Sequence, residues 1–400
     1  MVYADMEKNT KKVIAASYIG YVTQAIVNNF TPLLFVFLAE DFGVSLEQVT
    51  LLITMNFGVQ LFVDLIASRI TDKIGYKPLV IAAHIFVAAG FVGMGTLTLL
   101  PNPYGWLLVS SALFAVGGGL IEVIISPVVE ACDTDEKSGA MSLLHSFYCW
   151  GQVFAVVVST LFFFAFGIEN WRIMAMIWAA VPLFNGFFFS GLKIKQLDPE
   201  GGAVKLRVLA GKGLFWLLVV MMLCAGASEL AMSQWASAFA QAGLGVDPTA
   251  GNLAGPCLFA VFMGSARAFY GKFSAKIKLE RFMLISCILC IIGYLTACLS
   301  PVPMIAFAGC SVVGLSVGIM WPGTYSIAGS RLPMGGTAMF ALLALAGDLG
   351  CMSGPTAAGF ISGAIDGKLR TGLVFGAVFP LILGIAVLLL QKKKTEKELL

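Results

Sequence analysis

The sequence predicts an all-α membrane protein of twelve transmembrane helices in two pseudo-symmetric six-helix bundles. Three observations carry that expectation. Residues of the AVILMFWYC set fill 59% of the 400 positions and charged residues only 12%, about half the share of roughly 25% found in soluble domains. Apolar runs long enough to cross a bilayer core, about 20 residues, recur twelve times. The longest internal polar connection falls between the sixth and seventh runs. The same composition excludes a disordered chain, a collagen and a disulfide scaffold, since each needs polarity, a Gly-X-Y period or a high cysteine fraction that is missing here.

The runs stay apolar over about 20 residues, whereas a membrane strand alternates over about ten, so helices rather than a barrel follow. Span 1 (12–39) opens behind Lys8, Lys11 and Lys12. Span 2 (46–69) ends in Arg69, Lys73 and Lys77, ahead of span 3 (78–100). Span 4 (105–129) is followed by Lys137 and span 5 (138–166). Span 6 (171–192) runs into the connection 193–212, which holds Pro199, Gly201 and Gly202 with five basic residues, Lys193, Lys195, Lys205, Arg207 and Lys212. Span 7 (213–242) leads to span 8 (250–274), whose end carries Lys272, Lys276, Lys278 and Arg281. Span 9 (282–300), span 10 (303–329, with Arg331 behind it), span 11 (336–364) and span 12 (371–391, with Lys392, Lys393, Lys394 and Lys397) complete the set. The longest runs exceed the minimum and should tilt or bend.

These basic residues are 21 of the chain's 25 and fall on one side of the membrane, against Arg172, Lys368 and Arg370 on the other and Arg267 inside a span. The positive-inside rule then places both termini in the cytoplasm of a multi-pass protein of the cell membrane. The first run is too long for a cleavable signal and has no A-x-A-like site, so it is expected to be retained. A net charge of +3 gives no reason to expect nucleic acid. Cys287-x-x-Cys290 lies within span 9 and reads as core packing. No His-Glu-x-x-His or Walker sequence occurs, so neither an enzyme nor a built-in ATP motor is expected.

The position of the basic connection suggests duplication: an N-terminal bundle 1–192, a cytoplasmic linker 193–212 and a C-terminal bundle 213–400. Ser68-x-x-x-Asp72-Lys73-x-Gly75-Tyr76-Lys77 resembles the major facilitator superfamily signature between spans 2 and 3, G-x-x-x-D-R-x-G-R-K, with Ser for the first Gly. Gly117-Gly-Gly-Leu-Ile-Glu122 with Pro127-Val in span 4, Leu144-His145-Ser-Phe-Tyr-Cys-Trp-Gly151 in span 5 and Asn28-Asn29 in span 1 resemble the fucose:proton symporter-like family within it. That resemblance implies the major facilitator fold, a site near the midplane between two rocking halves, and proton-coupled uptake of a monosaccharide. It also implies that Asp72, Lys73 and Gly75 form a conformational gate. One departure is that fucose permeases carry an acidic residue just beyond the paired asparagines, and Phe30-Thr31-Pro32 has none.

An ionisable side chain at bilayer depth is unfavourable by about 2.5 to 3.5 kcal/mol on insertion scales. Asp64, Glu122, Glu229, Arg267 and Asp348 lie inside spans, and His145 can titrate with them. Counting from span ends, Asp64, Glu122, His145 and Arg267 share a layer roughly 8 to 12 Å from the cytoplasmic side at 1.5 Å per residue, which makes them the expected proton-coupling set with Glu122 as carrier. Gln24, Asn28 and Asn29 on span 1 and Glu229, Gln234 and Trp235 on span 7 fall near mid-depth, with Asp348 on span 11. They form two polar stripes suited to sugar hydroxyls, with Trp235 on the apolar face of a pyranose. Tyr148, Trp321 and Tyr325 are further expected lining groups. No cofactor or metal is expected. The coupling ion is expected to be a proton, with sodium as the alternative; the partners are a small-molecule substrate, a sugar, and membrane lipid, and the state is monomeric. A drug or organic-solute exporter on the same fold is the alternative function, although Gln152-Val-Phe-Ala in span 5 lacks the exporters' G-x-x-x-G-P signature. A non-transporting receptor is the alternative of another class.

Overall fold

Among the described residues, twelve helices are long and apolar enough to cross a membrane: Glu7–Phe42, Leu46–Ala67, Tyr76–Leu99, Pro103–Glu130, Leu143–Phe166, Ile168–Ser190, Gly213–Gly243, Pro248–Tyr270, Leu279–Leu299, Pro303–Arg331, Met339–Ile365 and Leu369–Gln391. They keep the names span 1 to span 12. This computed structural model describes residues 2–132, 137–195, 209–273, 276–332 and 336–398, with side chains described in those stretches except at 2–6, 68–69, 72, 137–142, 271, 336–338 and 392–398. Among the described residues there is no strand. Local chemistry sets several helix starts. Ser45 and Gln48 form a capping box ahead of span 2, and Asn102 and Asp247 cap spans 4 and 8 through side-chain oxygens, which satisfies backbone N–H groups that a helix leaves open. Between spans 11 and 12 the Asp366 carboxylate accepts from Lys368 N and Thr371 Oγ1. Those bonds hold its carboxyl group below the usual carboxylate range.

The chain divides into two compact units, Met1–Pro199 and Glu200–Leu400. In unit 1, span 3 packs on spans 4 and 6, span 2 on span 4, and span 1 on spans 4, 5 and 6. In unit 2, span 9 packs on spans 10 and 12, span 8 on span 10, and span 7 on spans 10, 11 and 12. The second set is the first with six added to every number, so each unit is internally wired in the same way.

Without water between helices, close packing falls to small residues. In unit 2, a Cβ on Gly226 would meet the Gly347 carbonyl, and one on Gly354 would meet the Ala227 backbone. A Cβ on Gly350 would fall on the Leu223 carbonyl and 2.9 Å from Ala227 N, so spans 7 and 11 touch backbone to backbone. Gly350→Ala is therefore expected to lower the apparent unfolding temperature in detergent, at an overpacking cost of about 1–3 kcal/mol. Gly213→Ala, where a Cβ has nothing within 4 Å, should leave it unchanged in the same thermal assay.

Span 1 is interrupted just beyond its polar stripe, and span 7 within its own. In span 1 the α-helix ends at Asn29 and a 3₁₀ turn, Thr31–Leu34, follows with Pro32 near its start. In span 7 the α-helix ends at Ser233, a short α-turn Ala236–Ala238 follows, and then a π-helical turn Phe239–Gly243. Proline explains the first interruption, since it removes an N–H from the ladder. Between the helix ending at Ile74 and the one starting at Tyr76, Gly75 takes φ 88°, ψ 160°, a conformation open to glycine and not to a residue with a side chain.

A candidate coupling site in unit 1 and an ion pair in unit 2

A buried polar group is unfavourable unless it is hydrogen-bonded, and the polar side chains of unit 1 meet that requirement by bonding one another. Asn56, Gln60 and Asp64 repeat every four residues along span 2, which puts them on one helical face. Gln60 Nε2 donates to Asn28 Oδ1 at 2.9 Å and to Asn56 Oδ1 at 3.0 Å, and Asn56 Nδ2 donates to Asn28 Oδ1 at 3.1 Å. Asn28 Nδ2 donates to Tyr148 Oη at 3.3 Å. At the other end Gln24 Nε2 donates to Gln60 Oε1 at 2.8 Å and to Glu122 Oε2 at 3.0 Å. The result is a relay from Glu122 on span 4, through Gln24 on span 1 and Gln60 on span 2, to Asn28 and then Tyr148 on span 5. Gln24, Asn28, Asn56 and Gln60 are all buried.

The three glycines before Glu122 make the relay possible. A Cβ on Gly117 would strike the Ala83 carbonyl of span 3, one on Gly118 would lie 3.0 Å from Gln24 Oε1, and one on Gly119 would lie 3.1 Å from the Gln60 backbone. Successive helix positions turn by about 100°, so each glycine admits a different neighbour. Glu122 follows Gly118 by four residues and shares its face, which sets the carboxylate beside the Gln24 amide. Asp64 is buried, and its carboxylate has an oxygen within 4.8 Å of one of Glu122. Two negative charges at that distance repel, and one proton between them removes the repulsion. His145 is exposed, with its ring edge-on to Tyr21 at 5.4 Å; the Tyr21 hydroxyl bonds Ser126 Oγ at 2.9 Å.

Several expected solute contacts have other work in the structure. Gln24 uses its Nε2 to link Glu122 and Gln60. Asn29 turns its amide back onto the Ala25 carbonyl of its own helix at 2.9 Å, and stays out of the relay. His84 bridges the Val80 carbonyl and Asn185 at 2.7 and 2.8 Å, while Asn185 also donates to the Ala16 carbonyl, tying spans 1, 3 and 6 together.

In unit 2, Arg267 of the expected coupling layer meets Glu229 of the expected solute stripe. Arg267 Nη2 lies 3.4 Å from Glu229 Oε2, with side-chain exposures of 18% and 10%. Depth counted from span ends separated the two, but an arginine side chain is long enough to close that difference. Arg267 Nε also donates to the Gly318 carbonyl at 3.3 Å, where span 10 breaks between its helices Pro303–Val317 and Met320–Arg331. Trp235 is wholly buried and its indole N–H donates to the Pro355 carbonyl of span 11 at 2.9 Å. Gln234 is buried beside it in sequence. The Trp321 ring occupies the space that a Cβ on Gly347 would need. Its neighbour Tyr325 reaches the Phe340 carbonyl at 3.5 Å, so both pack toward span 11. Asp348 is half-buried.

At the end of span 2, Lys73 is exposed in the last helical turn and Gly75 is the left-handed joint described above; the side chain of Asp72 lies outside the described residues. Sequence reasoning missed Asn56 and Gln60. Their signal was available, because Asn56-x3-Gln60-x3-Asp64 is a polar stripe at helical spacing inside an apolar run.

Comparison with known proteins agrees with this architecture. The family model for the Major Facilitator Superfamily matches residues 17–355. Among solved structures, a bacterial homolog to the human lysosomal transporter Spinster, in an inward-facing and occupied conformation, superposes with a TM-score of 0.75 at 16% identity, covering 95% of this chain and 96% of that one. The E. coli fucose:proton symporter FucP superposes with a TM-score of 0.64 at 15% identity, covering 94% and 97%. At those identities the likeness is one of fold. A comparison with curated proteins returns no match. With twelve apolar spans, two units wired alike and a family match over most of its length, the chain belongs to the major facilitator superfamily of membrane transporters.

Proposed function

We propose that the protein is a proton-coupled importer of a monosaccharide or similar small polyhydroxylated solute, working by alternating access in the cell membrane with both termini cytoplasmic. The observation that carries the reading is the buried amide relay of unit 1. One end is the Glu122 carboxylate at membrane depth, a group whose cost there asks for a function. The other end is a set of amide and phenol groups, Asn28, Asn56 and Tyr148, of the kind that match sugar hydroxyls. Because Arg267 neutralises Glu229 inside unit 2, the proton is assigned to the Asp64–Glu122 pair. The activity named for the fucose:proton symporter supports the same class of solute. Asp72, Lys73 and Gly75 are assigned to the gate, with Gly75 as its joint, and 193–212 to the linker between bundles 1–192 and 213–400.

The test is transport by purified protein in proteoliposomes, with the membrane potential clamped at zero and a panel of labelled monosaccharides outside. At one proton per solute, each unit of inside-alkaline pH gradient is equivalent to 1.36 kcal/mol and supports about tenfold accumulation. Accumulation should vanish with a protonophore. Accumulation driven only by a sodium gradient would transfer the coupling to sodium. Solute driven out of inside-alkaline vesicles would assign export, and no movement of any sugar would remove the solute class.

A further inference from the structure

Only half of the Gln24 carboxamide is in use. Its Nε2 donates to Gln60 and Glu122, whereas its Oε1 is buried and accepts no hydrogen bond. The residue is 3% exposed, so bulk water does not supply the missing donor. A buried acceptor left without a donor is unfavourable. The vacant acceptor sits on the same amide that already donates to Glu122, in the space Gly118 leaves by having no side chain. A carboxylate offers this amide an acceptor and nothing more. A carboxylic acid offers an acceptor and a donor, which is what the two ends of a primary amide require.

We propose that Gln24 Oε1 is the receiving group for the proton carried by Glu122: on protonation the acid hydroxyl donates to Oε1 while the other carboxyl oxygen keeps the bond from Nε2, closing a cyclic acid–amide pair. The proton enters from the aqueous phase and returns to it on release, and no other bond is made or broken. In unit 1 the Asp64 carboxylate of span 2 lies near Glu122, and Tyr21 of span 1 and His145 of span 5 pack on one another; none of the three is an amide with an open acceptor. An amide that accepts at its oxygen is a stronger donor at its nitrogen, since hydrogen bonds in a chain polarise one another. Loading Glu122 therefore strengthens Gln24 Nε2 toward Gln60, and through Gln60 and Asn28 the change reaches Tyr148. Gln24 is thus a positioning residue that joins the proton to the solute-facing end of the relay.

This inference rests on Glu122 being the proton carrier, and infrared difference spectroscopy on the full-length protein in liposomes separates the two. Acidification should produce a carboxylic C=O band that is absent in Glu122→Gln, at the low wavenumber of a doubly hydrogen-bonded acid. In protein labelled with ¹³C at the glutamine side-chain carbonyl, a glutamine band should shift in the same titration. Gln24→Met should move the acid band to higher wavenumber and remove the glutamine shift. An acid band unmoved by Gln24→Met, or a labelled wild-type protein with no glutamine shift, overturns the role of Gln24 while leaving Glu122 as carrier. Absence of any band that depends on Glu122 overturns both. A labelled wild-type protein with no glutamine shift overturns the role of Gln24 even if Gln24→Met does not fold.

Discussion

Glu122→Gln is expected to abolish accumulation driven by a pH gradient while leaving solute exchange intact. The substitution keeps the shape of the side chain and an oxygen that can accept from Gln24 Nε2, so the relay through Gln60, Asn28 and Tyr148 persists. It also removes one of the two negative charges that lie within 4.8 Å of each other at Asp64 and Glu122, so the unit should fold at least as well. What it cannot do is take up and release a proton. In proteoliposomes under a one-unit pH gradient, the accumulation ratio should fall from about ten to one, whereas counterflow between labelled and unlabelled solute continues. Wild-type accumulation by the mutant would remove Glu122 from the coupling step. Loss of counterflow together with accumulation would mean that the carboxylate serves solute binding or folding instead.

The second large effect concerns Arg267. It compensates the buried Glu229 and also caps the Gly318 carbonyl at the break in span 10, so it holds spans 7, 8 and 10 of unit 2. Removing one member of a buried ion pair leaves the other charge without its partner, at about 3–5 kcal/mol. Arg267→Met should therefore lower the apparent unfolding temperature sharply. Adding Glu229→Gln to it should recover much of the loss, because the stranded charge disappears, although the bond to Gly318 does not return. A double-mutant cycle by thermal unfolding in detergent reads this directly. If the two single effects simply add, the pair makes no net contribution and its role is elsewhere.

The spans were legible because membrane crossing depends on a local property. Twenty apolar residues in a row satisfy their backbone within one helix, and no distant contact is needed to recognise them; each observed span overlaps its expected range and shifts by a few residues at the ends. The bends were partly legible. Pro32 announces the interruption of span 1, but the end of the α-helix at Ser233 in span 7 has no proline to signal it. The scarcity of charge inside the spans also singled out Asp64, Glu122, Glu229 and Arg267 as residues with a purpose.

Their partners were another matter. Depth along a helix can be counted from sequence, whereas rotation about its axis and the reach of a side chain cannot. Depth alone grouped Arg267 with Asp64 and Glu122, and packing joined it to Glu229 in its own unit. Trp235 looked like a sugar platform by residue type and became a buried donor to Pro355, because the chain turns just before it. The sequence by itself determined that this protein is a bundle of twelve membrane helices with a few ionisable groups inside, since bilayer solvation acts on each segment separately. Only the tertiary structure decided that Glu122 is bound to Gln24 and linked through Gln60 to Asn28 and Tyr148. That depends on three glycines letting spans 1, 2 and 3 close on span 4 at the right rotation, a relation among four helices that no single segment encodes.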